Sequence, residues 1–150
     1  DHADLESYRA TLGARARRYR VHAYLHEGIA DVFAAADLAV CRAGASTLAE
    51  LPLFSLPAVL IPYPHAGGHQ ELNASYLVRH GAAMKVSERE LGIESGDYAG
   101  AGRALSETIL SLLDDDARLA EMARGAGGLA RPDAARVLAQ QLEELAGDVA

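Results

Sequence analysis

Tryptophan is absent from the 150 residues, phenylalanine occurs twice and cysteine once. With so few large rings, the core has to be aliphatic. A lone cysteine, Cys41, excludes a disulfide framework and any zinc site built on thiolates. A reducing, cytoplasmic setting is therefore expected. No run of 18 apolar residues occurs, so no transmembrane helix is expected, and no signal peptide is read. Cations are scarce too: 14 Lys and Arg against 21 Asp and Glu leave a net charge of −7. No basic face offsets phosphate charge, so nucleic acid is not expected as a partner. A small phosphorylated ligand stays open, because a helix N-terminus holds phosphate without Lys or Arg.

What is present suits one domain over residues 1–150. Half of the residues are hydrophobic and 23% charged, enough to bury a core and to exclude wholesale disorder. Alanine, with 31 residues, favours helices. The chain opens on Asp1 rather than Met, almost at once in a helical pattern, and is expected to be a piece of a longer protein.

Strand and helix patterns alternate along the chain. Leu5, Tyr8 and Leu12 recur at helical spacing, and Arg15, Arg17 and Arg18 close the stretch in cations. Tyr19 to Leu25 reads as a first strand. A short helix follows, with Ile29, Val32, Phe33 and Ala36 on one face. Three more strands are expected near residues 38–41, 58–61 and 82–86, each apolar enough to be buried in a parallel sheet. Helices separate them, from Leu48 to about Leu53 and from His69 to about Arg79, with Gly81 at the C′ position. Glu88 to Gly102 reads as a surface connection. Helices are then expected over about residues 98–148, with Pro132 at a first helical position. The pattern predicts an α/β fold, a Rossmann-like parallel sheet with helices on both faces.

In open parallel sheets, ligands bind at the carboxyl ends of the strands. Two loops there have suitable composition. In Cys41 to Glu50, Gly44 permits close backbone approach, and the small Ala45, Ser46 and Thr47 leave first-turn N–H groups reachable by a phosphate. Glu50, a turn further on, could accept hydrogen bonds from a ribose diol. The competing reading is an ordinary turn, with Ser46 or Thr47 as a cap and Glu50 solvated. In Pro62 to Asn73, two prolines stiffen the loop and Gly67-Gly68 loosens it before the helix. His69, Gln70 and Asn73 share the helical start. Three uncharged hydrogen-bonding side chains suit a polyhydroxyl ligand such as a sugar, and the alternative is a solvated first turn. His22 and His26 lack partners at metal spacing. His65 reads as a turn histidine rather than a base. Asp114-Asp115-Asp116 reads as helix N-cap charge, and Cys41 as a small core residue. No metal is expected.

Three stretches carry a resemblance. Residues 41–50 (Cys-Arg-Ala-Gly-Ala-Ser-Thr-Leu-Ala-Glu), Leu56 to Pro64, and residues 69–74 (His-Gln-Glu-Leu-Asn-Ala) resemble the C-terminal donor domain of the MurG family, glycosyltransferase family 28. The likeness covers about Tyr19 to Val86 at motif level. The family moves N-acetylglucosamine from UDP-GlcNAc to the lipid-linked muramoyl-pentapeptide precursor of peptidoglycan. The resemblance implies the C-terminal half of a GT-B fold, incomplete at its N-terminal edge, with UDP-GlcNAc as donor substrate and no cofactor. It implies that the backbone near His26 faces the uracil, with Ile29 packed beside it. The N–H groups of Ala45 and Ser46 would meet the diphosphate and Glu50 the ribose hydroxyls. His69 and Gln70 would bond the GlcNAc hydroxyls, and Asn73 would support that turn. The acceptor and the general base would belong to an N-terminal half, and no catalytic residue is assigned within these 150 residues, which alone are expected to be inactive. The parent enzyme would work peripherally on the inner face of the cell membrane. Two alternatives stand beside this one: another UDP-sugar enzyme of the same fold, such as a different transferase or a UDP-GlcNAc 2-epimerase, and a non-catalytic donor-binding subunit that needs a separate acceptor chain. Where the family carries a small run ending in Gly, this chain has Leu51-Pro52-Leu53-Phe54-Ser55. Pro52 is expected to shorten or kink the helix, and Ser55 to be strained at a positive φ.

Overall fold

The computed structural model describes residues 2–147 and divides into two units, one through Val32 and one from Phe33. In the first unit, α1 (His2–Thr11) gives way to a 3-10 helix (Gly13–Arg18). The single helix expected from the spacing breaks at Gly13, whose φ of 55° no α-helix accommodates. The strand expected at Tyr19 to Leu25 does not form: the segment is extended at Tyr19 but joins no ladder of the described sheet. Val21 and Leu25 are only half-buried, and Tyr19 and Tyr24 are exposed. β-propensity reports how well side chains suit a pleated surface. A strand also needs a partner for its N–H and C=O groups, and residue preference does not supply one.

The second unit holds a three-stranded parallel sheet in the order β1 (Ala39–Cys41), β2 (Ala58–Leu60), β3 (Ala83–Lys85). Ala39, Val40 and Cys41 face Ala58, Val59 and Leu60, which in turn face Ala83, Met84 and Lys85. Parallel neighbours need a crossover, and here α3 (Ala45–Leu53) and α4 (His69–Arg79) provide it. Alternation along β2 sorts the core into two layers. Ala58 and Leu60 pack with Leu51 of α3 and Ala74 and Leu77 of α4. Val59 packs on the opposite face with Leu112 of α6 (Tyr98–Leu113) and Met122 of α7 (Asp116–Gly127). Helices thus cover both faces of β2, all three of whose residues are buried, which is why it reads as an unbroken apolar run; β1 is more open, with Val40 exposed. Full burial of Leu60 or Leu112 contributes roughly 1.5–3 kcal/mol each. The last helix, α8 (Ala134–Gly147), starts two residues after Pro132 rather than at it.

Helices α3 and α4 end in the same way. The N–H groups of Gly81 and Ala82 donate to the carbonyls of Val78 and Leu77, and those of Ser55 and Leu56 to Pro52 and Leu51. Each pair closes a Schellman motif, whose C′ residue must be left-handed. Gly81 adopts φ 68° freely, whereas Ser55 is held at φ 51° with a Cβ that this region disfavours. Pro52 does not cut α3 short; it lies buried in the last turn, and the helix runs on to Leu53. Ser55→Gly is expected to stabilise the chain by about 0.5–1 kcal/mol, the relief of strain being partly offset by glycine's larger unfolded-state entropy. A urea midpoint that stays put or falls would show that the Ser55 side chain contributes more by packing than it costs in strain.

Candidate functional site

Helix α3 follows β1 after a short turn and α4 follows β2 after the loop over residues 61–68, and Asn73 of α4 bonds the carbonyl of Ala43, so both N-termini lie at the carboxyl edge of the sheet beside neighbouring strands. The first N–H groups of a helix lack intrahelical partners and carry its positive dipole end. At three other helices of the second unit a side chain satisfies them. The side chains of Ser87, Asp97 and Asp115 cap α5 (Glu88–Leu91), α6 and α7. At α3 and α4 the caps are Gly44 and Gly68, and no side chain bonds back. Thr47, one of the two expected caps, turns its hydroxyl to the carbonyl of Arg42 at 3.0 Å. The first turn of α3 is therefore left to bind something else, with Ala45 and Ser46 exposed.

Asn73 joins the two loops: its Nδ2 donates to the carbonyl of Ala43 at 2.9 Å. It was expected to support its own turn and instead braces the neighbouring one. The backbone N–H of Tyr63 donates to Oε1 of Gln70 at 2.9 Å. An N–H can only donate, so the amide oxygen of Gln70 is committed and its NH₂ is the free end. The His69 ring lies against Gly67. Glu50 sits one turn along α3 from Ser46, on the same face, with its carboxylate in solvent. Among the described residues no hydrogen bond or ion pair joins it to another candidate. His26 and Ile29 belong to the first unit. There the His26 ring meets Tyr24 edge-on at 4.6 Å, and Ile29 opens α2 (Ile29–Ala35) with its side chain exposed. Burial pushes the Cys41 thiol up, with Thr47 opposing, so the thiol stays protonated and suits a core position rather than a nucleophile. Asp115 caps α7, accepting from the N–H of Arg118.

A cavity of about 570 Å³ lies along the other flank of α3. Leu48, Leu53, Tyr76, Leu129 and Pro132 line it, and of the candidate residues it reaches only Ala45. Its walls are mostly apolar, and the one cation lining it, Arg131, turns Nη1 to the carbonyls of Gly128 and Ala130, so the cavity suits a phosphorylated sugar less well than the helix N-termini do. The paired helix N-termini carry the chemistry.

The chain matches the glycosyltransferase family 28 C-terminal domain over residues 2–138. It belongs to that family. A Chlorobium luteolum protein named UDP-N-acetylglucosamine--N-acetylmuramyl-(pentapeptide) pyrophosphoryl-undecaprenol N-acetylglucosamine transferase is 44% identical over 87% of this chain and 33% of its own length. A Roseiflexus protein of the same name is 45% identical, over 86% of this chain and 31% of its own. The crystal structure of Acinetobacter baumannii MurG superposes with a TM-score of 0.74 at 27% identity, covering 94% of this chain and 38% of that one. The chain thus spans about a third of the length of these relatives. The family 28 fold, α/β and Rossmann-like, is the one read from the strand–helix alternation.

Three residues of this family 28 domain escaped the sequence reading. Nη1 of Arg42 bonds the carbonyls of Ile61 (3.1 Å) and Pro62 (3.4 Å) and pairs with Glu88 at 2.6 Å. Its guanidinium also lies 5.4 Å from the centre of the Tyr63 ring. The available signal was that Arg42 is the one cation in either candidate loop. Glu88 fell in a stretch read as surface connection, which instead contains a helix with a complete capping box.

Proposed function

We propose that this chain binds UDP-GlcNAc across the N-termini of α3 and α4, and that it is the donor half of an inverting hexosyltransferase. That enzyme would transfer N-acetylglucosamine to the lipid-linked muramoyl-pentapeptide precursor of peptidoglycan. The observation that carries the reading is the pair of adjacent helix N-termini, capped by glycine and braced by Asn73, in a chain whose relatives bear that transferase name. The Ala45 and Ser46 N–H groups receive the diphosphate, Glu50 the ribose diol, and His69 and Gln70 the sugar hydroxyls. The acceptor hydroxyl displaces UDP directly at the anomeric carbon. As that bond breaks, negative charge grows on the departing diphosphate, and the two helix dipoles stabilise it where it develops. The acceptor and its general base are assigned to the part of the longer relatives that this chain does not span. The parent enzyme works at the inner face of the cell membrane as a peripheral protein; among the described residues no helix is long and apolar enough to cross one.

Gln70 tests the sugar half of the site. Gln70→Ala is expected to weaken UDP-GlcNAc roughly tenfold or more while changing UDP by less than about threefold, because a lost hydrogen bond to the sugar is felt only when the sugar is present. Calorimetric titration with both ligands reads the two losses separately. Equal losses would assign Gln70 to holding the loop alone.

A further inference from the structure

We propose that Glu88 is a positioning residue of this site, acting through Arg42 to fix the Tyr63–Gly68 loop and the side-chain amide of Gln70. The proposal rests on the donor-site reading above and extends it to residues that touch no ligand.

The contacts run in sequence from Glu88 to Gln70. Glu88 lies three residues past β3, Arg42 directly past β1, and Ile61 to Tyr63 directly past β2. One guanidinium nitrogen therefore ties together the carboxyl ends of all three strands. Nη1 has two hydrogens and three acceptors around it, and the closest is the Glu88 carboxylate at 2.6 Å. That carboxylate is largely covered, its side chain 13% exposed against 49% for Arg42. Exposed ion pairs contribute little because both partners stay mobile and solvated. Here the acid is held on a short helix anchored by the buried Leu91, and the base is held by two further carbonyls. Helix α5 does not need Glu88 for its own end, since Ser87 and Glu90 complete the capping box. The Glu88 carboxylate is free to reach across the edge.

Fixing Arg42 fixes what lies beyond it. Its guanidinium grips the carbonyls of Ile61 and Pro62, where the chain leaves β2, and lies over the Tyr63 ring. The N–H of Tyr63 then orients Gln70 by its amide oxygen, and the Gln70 NH₂ is presented as donor. Without the Glu88 charge, Arg42 can swing into solvent, the loop loses its clamp, and the Gln70 amide rotates among several orientations. Selectivity for the sugar falls, although neither Glu88 nor Arg42 touches it.

The test combines amide exchange on the ligand-free chain with calorimetry on UDP-GlcNAc and UDP. Glu88→Gln keeps the shape and removes the charge. It is expected to speed exchange of the Tyr63 amide about tenfold, while the amides of β2 and α6 keep their protection. The preference for UDP-GlcNAc over UDP should fall about fivefold, and in a Gln70→Ala background Glu88→Gln should change it no further. Arg42→Lys should behave like Glu88→Gln, because a single ammonium cannot serve the three acceptors in the same planar geometry. Unchanged Tyr63 exchange in Glu88→Gln overturns the proposal. Faster exchange throughout the sheet also overturns it, since that marks general destabilisation. If the unsubstituted chain binds neither ligand, the donor-site reading fails, and Tyr63 exchange still decides whether Glu88 holds the loop.

Discussion

Replacing Glu50 by alanine is expected to weaken UDP binding by about 1–3 kcal/mol, roughly 5- to 150-fold. The carboxylate stands in solvent one turn along α3 from Ser46, with no hydrogen bond or ion pair to it among the described residues. A carboxylate that accepts from two vicinal hydroxyls makes charge-assisted bonds, about twice as strong as neutral ones. Glu50→Gln keeps an acceptor oxygen and loses the charge, so its loss should fall between wild type and alanine. Because the group is exposed and unbonded in the free chain, neither change should move the urea midpoint appreciably. Calorimetry with UDP alone isolates this contribution from the sugar. Unchanged affinity in Glu50→Ala would remove Glu50 from the site and leave the diphosphate contacts standing.

The second large effect concerns packing of α7. A Cβ at Gly125 would sit 2.5 Å from the carbonyl oxygen of His80 and 2.8 Å from the backbone carbon of Gly81. Both are main-chain atoms within the turn that closes α4, so neither can move aside cheaply. Gly125→Ala is expected to destabilise the chain by about 2–3 kcal/mol, in the range of overpacked cores, and to lower Tm by about 5–10 °C. Gly102, inside α6, has open space where its Cβ would be. There the same substitution should stabilise by about 0.5–1 kcal/mol, the ordinary helical preference for alanine. Opposite signs at two helical glycines separate steric contact from propensity. A stable Gly125→Ala would mean that α7 docks with more slack than the contact allows.

What could be read from residue order was the part of the fold that depends on local pattern. The three strands of the sheet announced themselves through Leu38 to Cys41, Ala58 to Ile61 and Ala82 to Val86 as short apolar runs, although only β2 is buried along its whole length and Val40 of β1 is 41% exposed. Ser55 at a left-handed position was legible only through the family resemblance, which puts Gly there, and a cap within Asp114-Asp115-Asp116 from the place of that run before a helix. Tyr19 to Leu25 misled because its residues suit a strand while its backbone found no ladder. At the site, the two loops were legible from their composition, Gly44 permitting close backbone approach and Gly67-Gly68 loosening the second loop; the cap positions were not, since Ser46 or Thr47 was expected where Gly44 stands. The bracing was not. Asn73 reaches a carbonyl 30 residues away and Arg42 two carbonyls about 20 residues away, and any residue offers a carbonyl, so no residue type signals the partner. Glu88 was hidden for the same reason: only the fold brings the chain beyond β3 within reach of Arg42 beyond β1, across the end of β2.

The central claim is that UDP-GlcNAc sits at the paired N-termini of α3 and α4 rather than in the apolar cavity on the far flank of α3. The most direct measurement is a titration of the ¹⁵N-labelled chain with UDP-GlcNAc, following every amide resonance. The largest shifts are expected at the backbone N–H of Ser46 and at the side-chain amide of Gln70, which the cavity does not reach, with Leu53, Leu129 and Ala135 unmoved. Shifts centred on Leu53, Leu129 and Ala135, with Ser46 and Gln70 unperturbed, would contradict the claim.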